Sequence, residues 1–584
     1  MTATAADRPW LAQYPESVPA SLAPYPELPL DHYVRAAAER FGDRPVFLFY
    51  GASTSFRELD RQVDRFAAAL QALGVRKGDR VALMLPNCPQ FGVAFYGALR
   101  AGATVLGLNP LYTPRELGHV LRDAGAETFV VLAPMLRVFD AVAAETPVRR
   151  VVVTGLDDAM PAPVAAGYVA KARAEGTHAE APEREGLYRY AALMAEERPA
   201  PAPVEVDVRG DVAVLQYTGG TTGTSKGAML THYNAVANAL QSRAFCPQLA
   251  DGAETTLAII PFFHIYGLTC ALNLSIVGGG TTLALLPRFD AREALEVMER
   301  AGVTCFPGVP AMFVGLNAAL AADPARAEAL RPAFARLKLV NSGSAPLPIE
   351  VSREFTARTG VKIVEGYGLS EAAPTTHTQP PGRRPREGTI GVPVCDVECV
   401  VLGDGGRPVA AGEAGELCVR GPNVMLGYYH RPDETATALR DRGDGGAPWL
   451  HTGDVAVMDA DGYFRVVDRK KDMILVGGYN VYPREIEEVL HEHPAVQEAA
   501  AYAAQDPYMG EVVRAAVVLR AGASATPEEL VAHCRAGLAP FKVPRTIELR
   551  DALPRSTVGK VLRRVLRDEA AARAAAAGPL APGA

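Results

Sequence analysis

Cysteine is scarce and unpaired in this 584-residue chain: eight occur, and none stands in a Cys-x-x-Cys pair. Eight scattered cysteines favour small buried thiols in a reducing cytoplasm over a disulfide frame or a metal site. Cys395 and Cys399 fall in an alternating, strand-like stretch, and Cys270 and Cys305 sit among hydrophobes. No block of lysine or arginine is dense enough to follow a nucleic-acid backbone, and the net charge is -7. Nucleic acid is therefore not an expected partner. The pairs Arg383-Arg384, Lys470-Lys471 and His491/His493 read as solvated surface. The first residues lack the basic-then-apolar pattern of a secretory signal; Arg8-Pro9-Trp10 leads into proline-rich sequence. No internal repeat is present.

Charge is missing altogether from Thr255 to Pro287. A spanning helix is not the reading, because Pro261 and Gly278-Gly279-Gly280 would break it and His264 and Asn273 are polar. A buried helix from about Tyr266 to Val277, a glycine turn and a strand Thr281–Leu286 fit better. The result is an apolar wall within a globular protein, suited to a greasy ligand.

What is present is most informative between Tyr217 and Gly227, which read Tyr-Thr-Gly-Gly-Thr-Thr-Gly-Thr-Ser-Lys-Gly. A short buried strand, Asp211–Gln216, precedes it, and Thr231 is the expected N-cap of a helix running to about Ser242. Glycines let a backbone approach a ligand closely; the hydroxyls of Thr218, Thr221, Thr222, Thr224 and Ser225 and the Lys226 ammonium add donors and a cation. That combination suits a polyphosphate. It is not a Walker A loop, because Thr224-Ser225 separate Gly223 from Lys226, and the Gly-x-Gly-x-x-Gly spacing of a dinucleotide fingerprint is absent.

The length implies two to four domains. Residues 30–150 alternate helical and strand-like runs (Phe56–Leu73, Arg80–Leu85, Phe91–Ala101, Thr104–Gly107, Thr128–Leu132), an α/β layered pattern with mainly parallel sheets. From Leu156 to Val206 alanine, proline and glutamate suggest a helical excursion and a linker. Strands and helices resume from Asp211 to about Lys362. Thr389 to Arg465 reads as a small β-rich subdomain. Beyond Asp472, a helix opening at Glu485-Ile486-Glu487 and strands near Val496–Ala503 and Val512–Leu519 suggest a compact α+β lid. The expected division is 1–468, a hinge at 469–471, a lid at 472–568, and a tail at 569–584 without fixed structure.

Further polar signals lie far apart. Asn341-Ser-Gly-Ser-Ala-Pro346 and Glu365-Gly-Tyr-Gly-Leu-Ser-Glu371 each follow a strand; the second offers an aromatic plane, a hydroxyl and a hard carboxylate suited to Mg²⁺. Trp449-Leu-His-Thr-Gly-Asp454 presents a carboxylate on a tight turn, fit to chelate a ribose diol. Asp468-Arg-Lys-Lys-Asp472 is a charged knot, followed by Ile474-Leu-Val-Gly-Gly-Tyr479. Leu553-Pro-Arg-Ser-Thr-Val-Gly-Lys560 sets an isolated lysine after a flexible turn. Singly, Glu371 could be a helix N-terminal carboxylate, Asp454 a turn former and Lys560 an ordinary surface lysine.

In this order they resemble the adenylate-forming superfamily of acyl-CoA synthetases, adenylation domains and beetle luciferases, over about Trp10 to Asp568. Asn109-Pro-Leu-Tyr-Thr-Pro-Arg-Glu116, Pro432-Asp433, Val466-Val-Asp-Arg-Lys-Lys-Asp-Met-Ile474 and Gly478-Tyr-Asn-Val-Tyr-Pro483 look most like bacterial long-chain fatty-acid–CoA ligases. The resemblance implies a large N-terminal domain of layered α/β subdomains with a small mobile α+β lid. It implies that Thr218, Gly219, Gly220, Thr221, Thr222, Gly223 and Lys226 hold the β- and γ-phosphates of ATP, while Ser370 and Glu371 place Mg²⁺. Tyr367 and Gly368, with the turn Gly343-Ser344-Ala345-Pro346, bracket the adenine; Asp454 binds the ribose and Arg469 supports it. His264 sits at the acyl carboxylate and Lys560 reaches in from the lid. Lys471, where many members have aspartate, is the hinge, and Gly477-Gly478 line the pantetheine path. Serine at 370, where threonine is common, keeps the hydroxyl.

The implied reaction joins a fatty acid, ATP and coenzyme A through acyl-AMP, in the cytoplasm or at the inner face of the membrane. Peripheral membrane association and homodimer formation are compatible with the resemblance. Alternatives are a ligase for medium-chain or aryl acids, a fatty acyl-AMP ligase serving a carrier protein, an amino-acid adenylation domain and a non-enzymatic binding module.

Overall fold

The structure is a computed structural model that describes residues 8–218, 225–469, 472–476, 479–506, 510–556 and 559–576. Its large N-terminal part is mixed α/β, and a smaller C-terminal part follows.

Two large sheets carry the N-terminal part. In an eight-stranded sheet, Val212–Thr218, Thr104–Gly107, Arg80–Met84, Thr128–Leu132, Arg150–Thr154 and Leu187–Arg189 run parallel. All but the edge strand Leu187–Arg189 are Val/Leu-rich and largely buried, as parallel strands under helices must be. The nine-stranded sheet has a parallel centre, Pro45–Phe49, Thr282–Leu285, Thr255–Ala258, Cys305–Gly308, Leu339–Ser342 and Val364–Gly368, with antiparallel strands at both ends. Between the sheets pack the helices Phe56–Ala72 and Pro89–Arg100, the latter buried at every residue but its last. Gly92 and Gly97 in that helix make the packing possible: a Cβ at Gly92 would lie 2.6 Å from the Phe47 ring, and one at Gly97 2.9 Å from Phe66.

An antiparallel five-stranded sheet (Glu398–Leu402, Ala414–Arg420, Trp449–Met458, Leu439–Arg440, Phe464–Arg469) forms the expected β-rich subdomain. The C-terminal part is a second five-stranded sheet around Val496–Asp506 and Gly510–Leu519, covered by helices Pro483–His491 and Pro527–Gly537.

Several expectations change. The glycine loop is followed by a strand, Lys226–Thr231, paired antiparallel with Val212–Thr218. The helix then starts at His232 with Thr231 as its cap, Thr231 Oγ1 accepting from Asn234 N–H at 3.1 Å. The stretch after Leu156 is less of a linker than its composition implies, because Leu187–Arg189 extends the eight-stranded sheet and Tyr190 and Leu193 enter the core. Of the expected tail at 569–584, residues 569–576 continue a helix that starts at Arg563, and residues 577–584 lie outside the described residues. Leu566 and Ala570, one turn apart, are buried against Ala500, Tyr502, Val518 and Leu553, and that contact orders what composition alone suggested was frayed. The buried segment after His264 is helical to Gly278, with a π-helical stretch at Leu268–Asn273. Among the described residues, no helix is long and apolar enough to cross a membrane.

Candidate active site

A single cavity of about 2490 Å³ is lined by residues from both sheets, the β-rich subdomain and the lid. Thr218, Lys226, His264, Gly343, Ser344, Tyr367, Gly368, Ser370, Glu371, Arg469 and Lys560 all face it. His264, Gly343 and Ser344 follow parallel strands at the carboxyl edge where open α/β sheets bind ligands, while Lys226 and Arg469 come from antiparallel strands and Lys560 from the C-terminal part.

At the phosphate corner, Thr218 and Lys226 are cross-strand partners at the mouth of a hairpin. Ser225 Oγ donates to the Thr218 carbonyl at 2.8 Å, tying the loop's two ends. Lys226 Nζ lies 3.8 Å from Glu434 and 5.4 Å from the centre of the Tyr428 ring. The same tyrosine donates its hydroxyl to Glu371 Oε1 at 2.7 Å. Burial first, then the Glu371 carboxylate, raise the Tyr428 phenol and keep it protonated. Ser370 and Glu371 sit on a short 3-10 turn, so a carboxylate and a hydroxyl beside a lysine are ready for a polyanion and a hard cation.

At the nucleoside corner, Asp454 and Arg469 are cross-strand partners, and Arg469 Nε lies 3.1 Å from Asp454 Oδ1. The neighbouring carboxylate raises the Arg469 pKa, so the guanidinium stays charged. Tyr367 donates its hydroxyl to Asp454 Oδ2. Asp454 is buried, and in place of the expected tight turn it lies within the strand Trp449–Met458, at a bulge where Gly453 takes φ +71° and Thr452 and Gly453 face the cavity. Of the turn after Asn341, Gly343 and Ser344 line the cavity, whereas Pro346 points to solvent. Space at Gly343 is tight: a Cβ would stand 3.2 Å from the Tyr266 ring.

His264 caps the helix after the Pro261–Phe263 turn, and its Nδ1 accepts from Tyr266 N–H at 3.3 Å. Asn87 fixes that turn, donating to the carbonyls of Ala258 and Ile260 and accepting from Phe262 N–H. Burial, then the positive charge of Lys560, push the His264 pKa down to about 4. The imidazole is therefore neutral at physiological pH. Beyond it the cavity continues past Tyr266, Cys270, Leu274, Phe245 and Cys246.

Lys560 enters on the turn after Leu553. Gly559, at φ +76°, lets that turn press on the N-terminal part; a Cβ there would lie 3.3 Å from Val309. At the end of the β-rich subdomain, the Asp468 carboxylate accepts from Arg484 N–H at 3.0 Å, and burial pushes its pKa up to about 6. Glu365 is pushed up to about 7 by burial, with Arg484 of the lid pulling the other way.

Gly219, Gly220, Thr221, Thr222, Gly223, Lys471, Gly477 and Gly478 lie outside the described residues. Sequence reasoning missed Tyr428, Glu434, Asn87 and Gln216, whose amide donates to the Phe263 carbonyl at 3.3 Å. Three of these sit beside motifs already singled out: Gln216 ends the strand ahead of the glycine loop, Tyr428 lies just before Pro432-Asp433 and Glu434 directly follows it, whereas Asn87 has no such neighbour.

Residues 34–429 match the AMP-binding enzyme family, and residues 485–560 the AMP-binding enzyme C-terminal domain. The chain is 42% identical over 564 residues to a long-chain-fatty-acid–CoA ligase of Bacillus subtilis (strain 168), covering 96% of this chain and 98% of that one. Two solved structures share the fold. ATP-bound MatB from Rhodopseudomonas palustris has a TM-score of 0.77 and 30% identity, over 93% of this chain and 99% of that one. The anthranilate CoA ligase AuaEII, in complex with anthranoyl-AMP, has a TM-score of 0.80 and 26% identity, over 95% and 99%.

Proposed function

The chain belongs to the AMP-binding enzyme family, and from that membership we propose that it activates a long-chain fatty acid with ATP and passes the acyl group to coenzyme A. The observation that carries this reading is the meeting of Lys226, Glu371, His264 and Lys560, from four distant segments, on one cavity whose lining also includes Phe245, Tyr266, Cys270 and Leu274.

A carboxylate resists thiol attack because it is anionic and has no good leaving group. In the first half-reaction its oxygen attacks the α-phosphorus of ATP, the bond to the bridging oxygen breaks, and pyrophosphate leaves. Lys226 and the hairpin loop hold the phosphates, and Lys560 neutralises charge between carboxylate and α-phosphate. Asp454, with Arg469 and Tyr367 fixing its oxygens, takes the ribose hydroxyls. The oxygen donors of Glu371 and Ser370 fit Mg²⁺, which when bound offsets phosphate charge. His264, neutral, positions the acyl carboxylate by hydrogen bonding instead of by charge.

In the second half-reaction the thiolate of coenzyme A attacks the acyl carbon and AMP leaves. Rotation of the lid about a hinge at 469–471, between a body at 1–468 and a lid at 472–568, would withdraw Lys560 and open the thiol's path. The fatty-acid assignment draws on the relatives' activity and on the walls of Tyr266, Cys270, Leu274 and Phe245, where each buried methylene contributes roughly 0.8 kcal/mol. A pyrophosphate-release assay over short, medium and long straight-chain acids, with and without coenzyme A, tests it. Turnover should be greatest with long chains and should need coenzyme A to continue; a preference for short or aromatic acids would refute the assignment.

A further inference from the structure

Outside the acyl-activation machinery, the β-rich subdomain brings a carboxylate, a thiol and an imidazole to one point. Cys418 on Ala414–Arg420 is the direct cross-strand partner of His451 on Trp449–Met458. Glu416 stands two residues from Cys418 on the same strand, and a register shift between them brings its carboxylate to the same imidazole. His451 Nδ1 lies 3.2 Å from Glu416 Oε2 and 3.4 Å from Cys418 Sγ, and all three ligand atoms fall within 4.8 Å of one another.

We propose that Glu416, Cys418 and His451 form a binding site for a borderline-soft divalent metal of the zinc class. Ligand bonds of about 2.0–2.3 Å set at tetrahedral angles give ligand-to-ligand edges of about 3.3–3.6 Å. The two measured edges at the imidazole already lie near those values, and only the thiol–carboxylate edge has to close. A thiolate, an imidazole and a carboxylate select zinc-like ions over Mg²⁺, which takes oxygen donors. This separates the site chemically from the metal that accompanies ATP. Cys418 is fully buried and the side chains of Glu416 and His451 are 14% and 9% exposed, so a bound ion is shielded yet reachable. Binding replaces the S–H proton, which leaves to solvent, with a metal–sulfur bond; affinity therefore rises with pH.

The location gives the site a consequence. Glu416 Oε1 accepts from Gly453 N–H at 3.2 Å, and Thr452 Oγ1 accepts from Asp454 N–H at 3.1 Å while donating to the Leu417 carbonyl at 2.7 Å. A metal on Glu416 and His451 would thus clamp the bulged stretch of strand that carries Asp454. The inference stands whether or not the acid activated is a fatty acid.

Cobalt(II) titration of the metal-free, full-length protein tests it. The expected result is one equivalent bound, with a thiolate-to-cobalt charge-transfer band and the intense visible bands of tetrahedral geometry, both removed by Zn²⁺. Cys418→Ser should abolish the charge-transfer band, and His451→Gln should weaken binding by about tenfold or more. Cys534→Ser, in the lid, should change neither. Should Cys418→Ser not fold, His451→Gln at its partly exposed position carries the test. Weak octahedral bands alone, or a tetrahedral spectrum that survives His451→Gln unchanged, would overturn the proposal.

Discussion

Tyr428 joins the two charged groups of the phosphate corner: its hydroxyl donates to Glu371 Oε1 at 2.7 Å, and its ring lies 5.4 Å from the Lys226 ammonium. The strand Gly427–Tyr428 makes this possible by pairing with Lys226–Thr231, Tyr428 opposite Ala228. One phenol thereby touches both the cation proposed for phosphate and the carboxylate proposed for Mg²⁺.

Tyr428→Phe keeps the ring and deletes the hydroxyl. Losing a hydrogen bond to a charged group costs about 1.5–3 kcal/mol, so acyl-AMP formation should fall by roughly 10–100-fold and need more Mg²⁺. Pyrophosphate release measured against Mg²⁺ concentration checks this. An unaltered Mg²⁺ dependence would mean that Glu371 does not need the phenol.

Asp454→Asn removes the charge that Arg469 answers at 3.1 Å and leaves that cation without its carboxylate partner. The KM for ATP should rise by about tenfold or more, the scale of one charged hydrogen bond, with a smaller rise for Tyr367→Phe. Equal KM values in wild type and both variants would remove the ribose role.

Lys560→Ala should lower acyl-AMP formation by ~10²–10³-fold, as loss of a transition-state charge stabiliser does. Thioester formation from supplied acyl-AMP should survive. If both half-reactions fall together, Lys560 is not the residue that the lid withdraws.

The pH dependence of stability carries the signature of His264. Its pKa is lowered from 6.5 to about 4 in the folded chain, so between those values the unfolded state binds the extra proton. The stability this contributes is complete above about pH 6.5 and is lost as pH falls toward 4, by up to about 3 kcal/mol. Urea unfolding at several pH values should show a shallower acid loss in His264→Gln than in wild type. Identical slopes would mean that the imidazole titrates normally.

The motifs were legible because each needs a particular backbone or a particular donor. The Gly/Thr loop, the segments ending in Glu371 and Asp454 and the lysine of Val558-Gly559-Lys560 announce themselves in the sequence. The strand Lys226–Thr231 did not, because its register comes from pairing with Val212–Thr218 and with Gly427–Tyr428. The helix at 563–576 was misjudged because alanine-rich composition reports propensity, whereas burial of Leu566 and Ala570 against the lid sheet decides order.

By itself, then, the sequence determined the chemistry on offer: which groups can hold phosphate, ribose, a hard cation and an acyl chain, since those depend on residue type and local spacing. Only the tertiary structure decided how these groups are tuned. The neutral state of His264, the Tyr428 link and the cluster of Glu416, Cys418 and His451 all arise from burial and cross-strand register between distant segments. Those quantities are set by packing in three dimensions, and no local pattern encodes them.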